Sequence, residues 1–216
     1  MTANKSIAID AMGGDGGIDI TLPASLQVLN EKPDLSILLV GDESRMRPLV
    51  SAAPANVRDR LKLVHSDAVI GDADRPVNVL RSGKQSSMYL AVELVKTGTA
   101  QAMVSAGNTG ALLMIGRHLL KTIEGIQKPA IVTSIPGASR QSLLLDVGAN
   151  PDCSALQLFE FAVMGSVLAE SLAGDKATVG LLNIGSEQYK GTAEVRAAAA
   201  LMESSEALNY AGFIEA

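Results

Sequence analysis

Short, continuous apolar runs alternate along this chain with longer stretches in which apolar positions recur every three or four residues. The runs Ser6–Asp10, Leu35–Val40, Leu61–His65, Ala102–Ser105, Ala130–Ser134, Ser142–Val147 and Thr178–Asn183 lack the in–out alternation of a half-exposed strand. They read as strands covered on both faces. Helical periodicity marks Asp19–Asn30, Glu43–Ala53, Ser86–Thr97, Thr109–Lys121, Ala155–Ala173 and Thr192–Ser204. Strand followed by helix, again and again, predicts a three-layer α/β/α fold around a mostly parallel sheet. One pair breaks the rule. Ala130–Ser134 and Ser142–Val147 are joined by Ile135-Pro-Gly-Ala-Ser-Arg-Gln141, too short for a crossover helix, which predicts an antiparallel excursion. Near the end, Phe213-Ile214 reads as part of a further strand.

Glycine-bearing turns follow four of the strands: Gly13-Gly14-Asp15-Gly16-Gly17, Ser105-Ala-Gly-Asn-Thr-Gly110, Asp146-Val-Gly-Ala-Asn150 and Asn183-Ile-Gly-Ser-Glu187. In open α/β sheets the ligand crevice lies beyond the carboxyl ends of strands, so the four predict a polar cleft suited to phosphate. The second turn carries most information. A strand ends at Ser105, Gly107 and Gly110 bracket Asn108 and Thr109, and a helix begins at once. Free N–H groups and a positive dipole end then face whatever sits before the helix, the usual setting for a bound anion. Asn108 and Thr109 either cap that helix or touch the ligand.

Composition narrows the classes. The 216 residues are 47% hydrophobic, enough for a real core. The net charge is −5 and no basic cluster occurs, which argues against a nucleic-acid partner. With no Trp, three Tyr and three Phe, there is no platform for stacking bases. The single Cys153 excludes an internal disulfide and fits a reducing cytoplasm. The first residues do not read as a signal peptide, and no apolar run reaches the ~20 residues needed to span a bilayer.

Other chemistry is thin. Gly13–Gly17 is a poor dinucleotide fingerprint, since no G-x-G-x-x-G opens a helix there. Asp10 and Asp15 serve either a metal or substrate hydroxyl, or the turn itself. His65 and His118 have no metal-ligand spacing. Cys153 stands near a helix start, where a thiol pKa can fall, but a small buried cysteine is the commoner case. Lys190 precedes the last helix, a position unfavourable to a cation; it is either a solvated surface lysine or the partner of an anion bound between them. Asp146 and Asn150 either orient a ligand or shape the turn before Pro151.

Taken together, Ile9-Asp-Ala-Met-Gly-Gly-Asp15, Ser86-Ser-Met88, Val104-Ser-Ala-Gly-Asn-Thr-Gly-Ala111, Leu145-Asp-Val-Gly-Ala-Asn150, Phe161-Ala-Val-Met-Gly165 and Gly180-Leu-Leu-Asn-Ile-Gly185 with Lys190-Gly191 closely resemble the bacterial phosphate acyltransferases of phospholipid synthesis. The resemblance implies one acyltransferase domain over residues 1–216, with a fold like isocitrate and isopropylmalate dehydrogenases. It implies transfer of a fatty acyl group from acyl carrier protein to inorganic phosphate, in a cytoplasmic homodimer. Lys190 and Asn108 are the expected catalytic residues. Gly13, Gly14, Asp15, Ser105, Gly107, Thr109, Gly110, Asp146, Asn150, Asn183 and Gly185 are the expected substrate contacts. Two departures stand out. Gly16-Gly17-Ile18 replaces the family's usual His-Ala-Pro, and members of the family continue beyond the position of Ala216. The resemblance therefore implies a chain lacking its C-terminal part, where peripheral membrane contact would reside.

No covalent nucleophile is visible, which fits direct attack of phosphate on a thioester. N–H groups of Gly107–Gly110 would hold the phosphate and Lys190 would offset negative charge. This scheme needs no metal and no cofactor. Arg75, Arg81 and Lys84 are candidates for meeting an acidic carrier protein. Alternative readings are a phosphate acetyltransferase-like enzyme using acyl-CoA, a nicotinamide dehydrogenase of similar fold, and a noncatalytic fragment.

Overall fold

A computed structural model describes residues 5–137 and 141–215. In chain order the elements are β1 (Lys5–Asp10), α1 (Ile18–Glu31), β2 (Leu35–Gly41), α2 (Glu43–Ser51), α3 (Ala55–Arg58), β3 (Leu61–His65), α4 (Pro76–Ser82), α5 (Ser87–Lys96), β4 (Ala102–Val104), α6 (Thr109–Leu120), β5 (Val132–Ile135), β6 (Ser142–Leu145), α7 (Ala155–Ala173), β7 (Thr178–Asn183), α8 (Ala193–Glu203) and β8 (Asn209–Glu215). The chain divides into two compact units, Met1–Lys121 and Thr122–Ala216, each described by itself below.

In the first unit four strands pair in parallel in the order β3-β2-β1-β4. Strand periodicity sends alternate residues to opposite faces. Ile37 and Leu39, with Ile7 and Ile9, join Leu22, Leu29, Met46 and Val50 in a core on one side. Ala8, Leu38 and Val40 pack with Ala91 and Ala100 on the other. Helices thus cover both faces, and the continuous apolar runs are explained by this three-layer arrangement. Arg60 ties the layers' rim, its guanidinium donating to the carbonyls of Leu29, Lys32 and Leu35.

In the second unit β5 and β6 form the expected antiparallel pair, Val132 opposite Leu145 and Ile135 opposite Ser142. Residues 138–140 of the connection lie outside the described residues. β7 and β8 pair in parallel, and α8 joins them as a crossover helix packed through Ala198 and Met202. Both strands of the hairpin differ from their sequence limits. Ala130–Ser134 becomes Val132–Ile135 and Ser142–Val147 stops at Leu145, because the Asp146 carboxylate collects backbone N–H groups that a longer ladder would use. α3 and α4 were not expected from the periodicity, being too short to show it, though Pro76 stands at the first helical position of α4 as its chemistry favours.

The sequence expectation that no run could span a bilayer is corrected by α7. Its 19 residues, with mean hydropathy 1.3, suffice by length and composition. Its polar residues are nevertheless engaged inside the unit. The buried Glu160 carboxylate accepts from Gln127 N at 2.7 Å, and Ser154 with Gln157 closes a capping box. Beside α7 lies a groove of about 1670 Å³, lined by residues of this unit including Leu145, Phe161, Gly165, Val179 and Met202.

Candidate functional site

Parallel pairing of β1 with β4 brings two glycine turns to one sheet edge. Asp10, 2% exposed at the end of β1, accepts from Ser105 Oγ at 2.7 Å through Oδ2 and from Met12 N at 3.3 Å through Oδ1. Ser105 Oγ in turn accepts from Gly107 N at 3.1 Å. Gly13 lies against this relay. A Cβ there would stand 2.6 Å from Asp10 Oδ2, 2.9 Å from Gly107 N and 3.0 Å from Ser105 Oγ. Gly14, at φ +79°, packs on Ala106. The two turns are thus locked together by a buried carboxylate, a hydroxyl and two side-chain-free positions.

Asn108 caps α6, its Oδ1 accepting from Ala111 N at 3.0 Å. Its Nδ2 lies within 3.1–3.2 Å of the Gly71, Asp72 and Asp74 carbonyls. Among the described residues, the N–H groups of Thr109 and Gly110 carry no hydrogen bond, as the first turn of a helix leaves them. N–H groups of this kind, with the dipole of a 12-residue helix behind them, are chemically able to donate to an anion. The first turn differs. Gly17 N donates to Gly14 O, and Thr21 N and Oγ1 both bond Gly17 O. Asp15 is exposed.

The remaining expected site residues lie in the second unit. Asp146 is a turn-builder. Its carboxylate accepts from the backbone N–H groups of Ile131 (2.9 Å), Ala149 (3.2 Å) and Asn150 (2.7 Å), and from Asn150 Nδ2 (3.0 Å). Asn150 Nδ2 also donates to Pro129 O at 3.0 Å. Of the two readings open from sequence, shaping the turn is the one these bonds support.

After β7, the mostly buried Asn183 accepts from Ile184 N at 2.9 Å and donates to Lys190 O at 3.2 Å, closing the loop that carries the lysine. Lys190 Nζ meets Glu187 Oε2 at 2.7 Å. The lysine crosses Gly185, where a Cβ would stand 2.5 Å from Lys190 Cδ and 2.7 Å from its Nζ. Gly191 (φ +87°) then leads into Thr192, whose hydroxyl caps α8. The Lys190 hydrogen bond is the chief reason that the Glu187 carboxyl sits below the usual carboxylate range. A carboxyl lowered in the folded state keeps the pair above its ordinary titration range. The pair is lost as pH falls through the folded value. Both side chains are substantially exposed, so the pair sets geometry more than stability.

Other candidates find structural partners. His65 accepts from Glu43 N at 3.3 Å and its other ring nitrogen lies 3.0 Å from Asp67. Cys153 is partly buried, its Sγ 3.5 Å from Asn150 O. Desolvation raises its pKa, against the lowering that its place near a helix start allows. Its thiol is therefore expected to react with a disulfide reagent at pH 7–8 several-fold more slowly in native than in urea-unfolded protein. Equal rates would mean an open, unperturbed thiol.

Sequence reasoning left two partners unread. Glu187 was visible three residues before Lys190, the spacing of a turn-borne ion pair. The 71–74 loop gave no local signal of its partner, because its tie to Asn108 spans up to 37 positions.

A sequence model of the family described as "Fatty acid synthesis protein" matches residues 5–216. The chain is 50% identical over 214 residues to the phosphate acyltransferase of Shewanella loihica, covering 98% of this chain and 63% of that protein. It is 51% identical over 209 residues to the phosphate acyltransferase of Stutzerimonas stutzeri, covering 97% of this chain and 59% of that one. The chain therefore spans about three-fifths of the length of these relatives. Among solved structures, the EutD phosphotransacetylase of Staphylococcus aureus is similar with TM-score 0.66 at 19% identity, over 98% of this chain and 69% of that one. A branched-chain phosphotransacylase of Enterococcus faecalis gives 0.58 at 15% identity, over 97% of this chain and 67% of that one. At those identities the likeness concerns the fold.

Proposed function

The chain belongs to the fatty acid synthesis protein family, and from that premise we propose that it is the larger part of a phosphate acyltransferase, moving a fatty acyl group from acyl carrier protein to inorganic phosphate. The observation that carries this reading is the 50% identity to a phosphate acyltransferase over 98% of the chain. A phosphate oxygen attacks the thioester carbonyl, the C–S bond breaks, and the carrier thiol leaves with the proton given up by phosphate. The products are an acyl phosphate and free carrier thiol. A thiol leaves readily, so what the protein must supply is position and charge.

The proposed roles follow the chemistry of each group. The Thr109 and Gly110 N–H groups bind phosphate, on the turn fixed by Gly13, Gly14, Asp10, Ser105 and Gly107. Lys190, set by Asn183 and Gly185, carries by resemblance to the family the role of offsetting negative charge that develops in the reaction. Asp146 and Asn150 support their own turn. A second copy of the chain and the cytoplasm complete the proposal by resemblance to the family. Acyl-CoA as donor is the second reading, motivated by the phosphotransacetylase fold.

Inorganic phosphate titrated into the 216-residue chain is expected to shift the amide resonances of Gly107, Thr109 and Gly110. Shifts confined to other residues would remove this turn from phosphate binding. The activity itself is tested in a protein of the relatives' length, by phosphate-dependent consumption of acyl carrier protein thioester beside acyl-CoA. Consumption of neither defeats the acyltransferase reading. Consumption of acyl-CoA alone selects the second donor.

A further inference from the structure

Asn108 makes more bonds than a helix cap requires. Capping uses only its acceptor, Oδ1, on Ala111 N. Serine, threonine or aspartate would serve that purpose equally. The donor end is enclosed by carbonyl oxygens from a distant loop, Asp74 O at 3.1 Å and Gly71 O and Asp72 O at 3.2 Å. A ring of carbonyls admits a donor and repels a carboxylate, so this position selects the amide. The loop is closed on itself by Gly71 N donating to Asp74 Oδ2 at 2.8 Å. Its continuation, Arg75-Pro76, returns to the same turn. A Cβ on Gly110 would stand 2.8 Å from Pro76 Cγ. The segment 71–76 is therefore attached to the start of α6 twice, once by hydrogen bonds and once by close packing.

We propose that Asn108 is a positioning residue whose amide holds the Asp74–Pro76 segment against the Thr109 and Gly110 N–H groups, making that segment the second wall of the phosphate-binding turn. This rests on the reading of the turn as a phosphate site. It replaces the expected catalytic role of Asn108, because both ends of its side chain are already engaged. A turn open on one side binds an anion loosely, whereas a walled turn fixes the direction from which phosphate must attack. Arg75 is exposed on this segment.

The test uses two variants of the 216-residue chain. Asn108→Ser keeps a capping oxygen and deletes the donors. Gly110→Ala is a neutral wedge between the turn and Pro76, and carries the test if the first variant does not fold. Both are expected to fold, Gly110→Ala with some loss of melting temperature as Pro76 is displaced, to exchange the hydrogen-bonded amide hydrogens of Gly71 and Asp74 about tenfold faster, and to bind phosphate about tenfold more weakly, the scale on which outer-layer partners act. Native phosphate affinity in both variants would overturn the positioning role and leave the phosphate reading standing. Absence of phosphate binding in the unaltered chain would overturn the phosphate reading, and the positioning role with it. Amide exchange would then still report whether the clamp orders the loop.

Discussion

Replacing Lys190 with alanine, in a protein of the relatives' length, is expected to lower turnover by about 30- to 1000-fold with the fold intact. The range corresponds to about 2–4 kcal/mol of lost charge stabilisation, as for removal of one donor to a developing oxyanion. The structure makes the position suited to a precise cation. Asn183 closes the loop on the Lys190 carbonyl, and Gly185 leaves a bare backbone surface across which the lysine lies. Among the described residues, the ion pair it gives up is the one with Glu187, on partly exposed side chains, so stability should change little. Lys190→Met keeps the aliphatic stem and removes the charge, and should fall as far as the alanine variant. Steady-state kinetics with saturating phosphate decide the matter. Native turnover in both variants would take Lys190 out of the mechanism, and recovery in the methionine variant alone would show that packing, not charge, is what the lysine supplies.

Gly13→Ala is expected to destabilise the first unit by about 3 kcal/mol or more, on the order of 10 °C in its melting temperature. The cause is space, not backbone conformation. The new methyl would enter a gap bounded by Asp10 Oδ2, Gly107 N and Ser105 Oγ, all within 3.0 Å. Nothing there is the far end of a flexible chain. Asp10 is buried and held by Met12 N, and Ser105 is held by Asp10. To make room, the hydrogen bond between the two must break, leaving a buried carboxylate short of a partner. Gly116→Ala is the comparison. It lies within α6 with nothing within 4 Å of its Cβ position, and should be neutral or stabilising by about 0.5–1 kcal/mol. Denaturant melts of the two variants separate the cases. Equal stability would show that the β1 and β4 turns are not locked together as described.

The legibility of the candidate site varied residue by residue. Asn108 was read as a cap or a ligand contact, and its oxygen is indeed the cap. Its nitrogen's three carbonyl partners come from the Gly71–Pro76 loop, whose Gly, Asp and Pro residues mark a turn but not its distant partner. Asp146 and Asn150 stood open between ligand and turn. Deciding required knowing that Ile131 N and Pro129 O arrive from the segment leading into β5. Glu187 was within reach of local reasoning, since a carboxylate three residues before a lysine in a turn is a neighbour in space.

What the sequence determined by itself is the order of the longer elements, the short α3 and α4 excepted. Leu61–His65, Ala155–Ala173 and Thr178–Asn183 have the limits that periodicity and flanking residues assign them. The hairpin was foreseeable because seven connecting residues cannot hold a crossover helix. These are short-range matters, settled by steric preference, capping and burial period within a few turns of chain. Tertiary structure alone decided which glycine turns meet. The first and second do so because β4 pairs with β1, bringing Ser105 to Asp10 across 95 positions. Sheet order, β3-β2-β1-β4, is a property of the whole layer. The destination of each polar side chain follows in turn, since a buried donor or acceptor takes the partner that packing delivers to it.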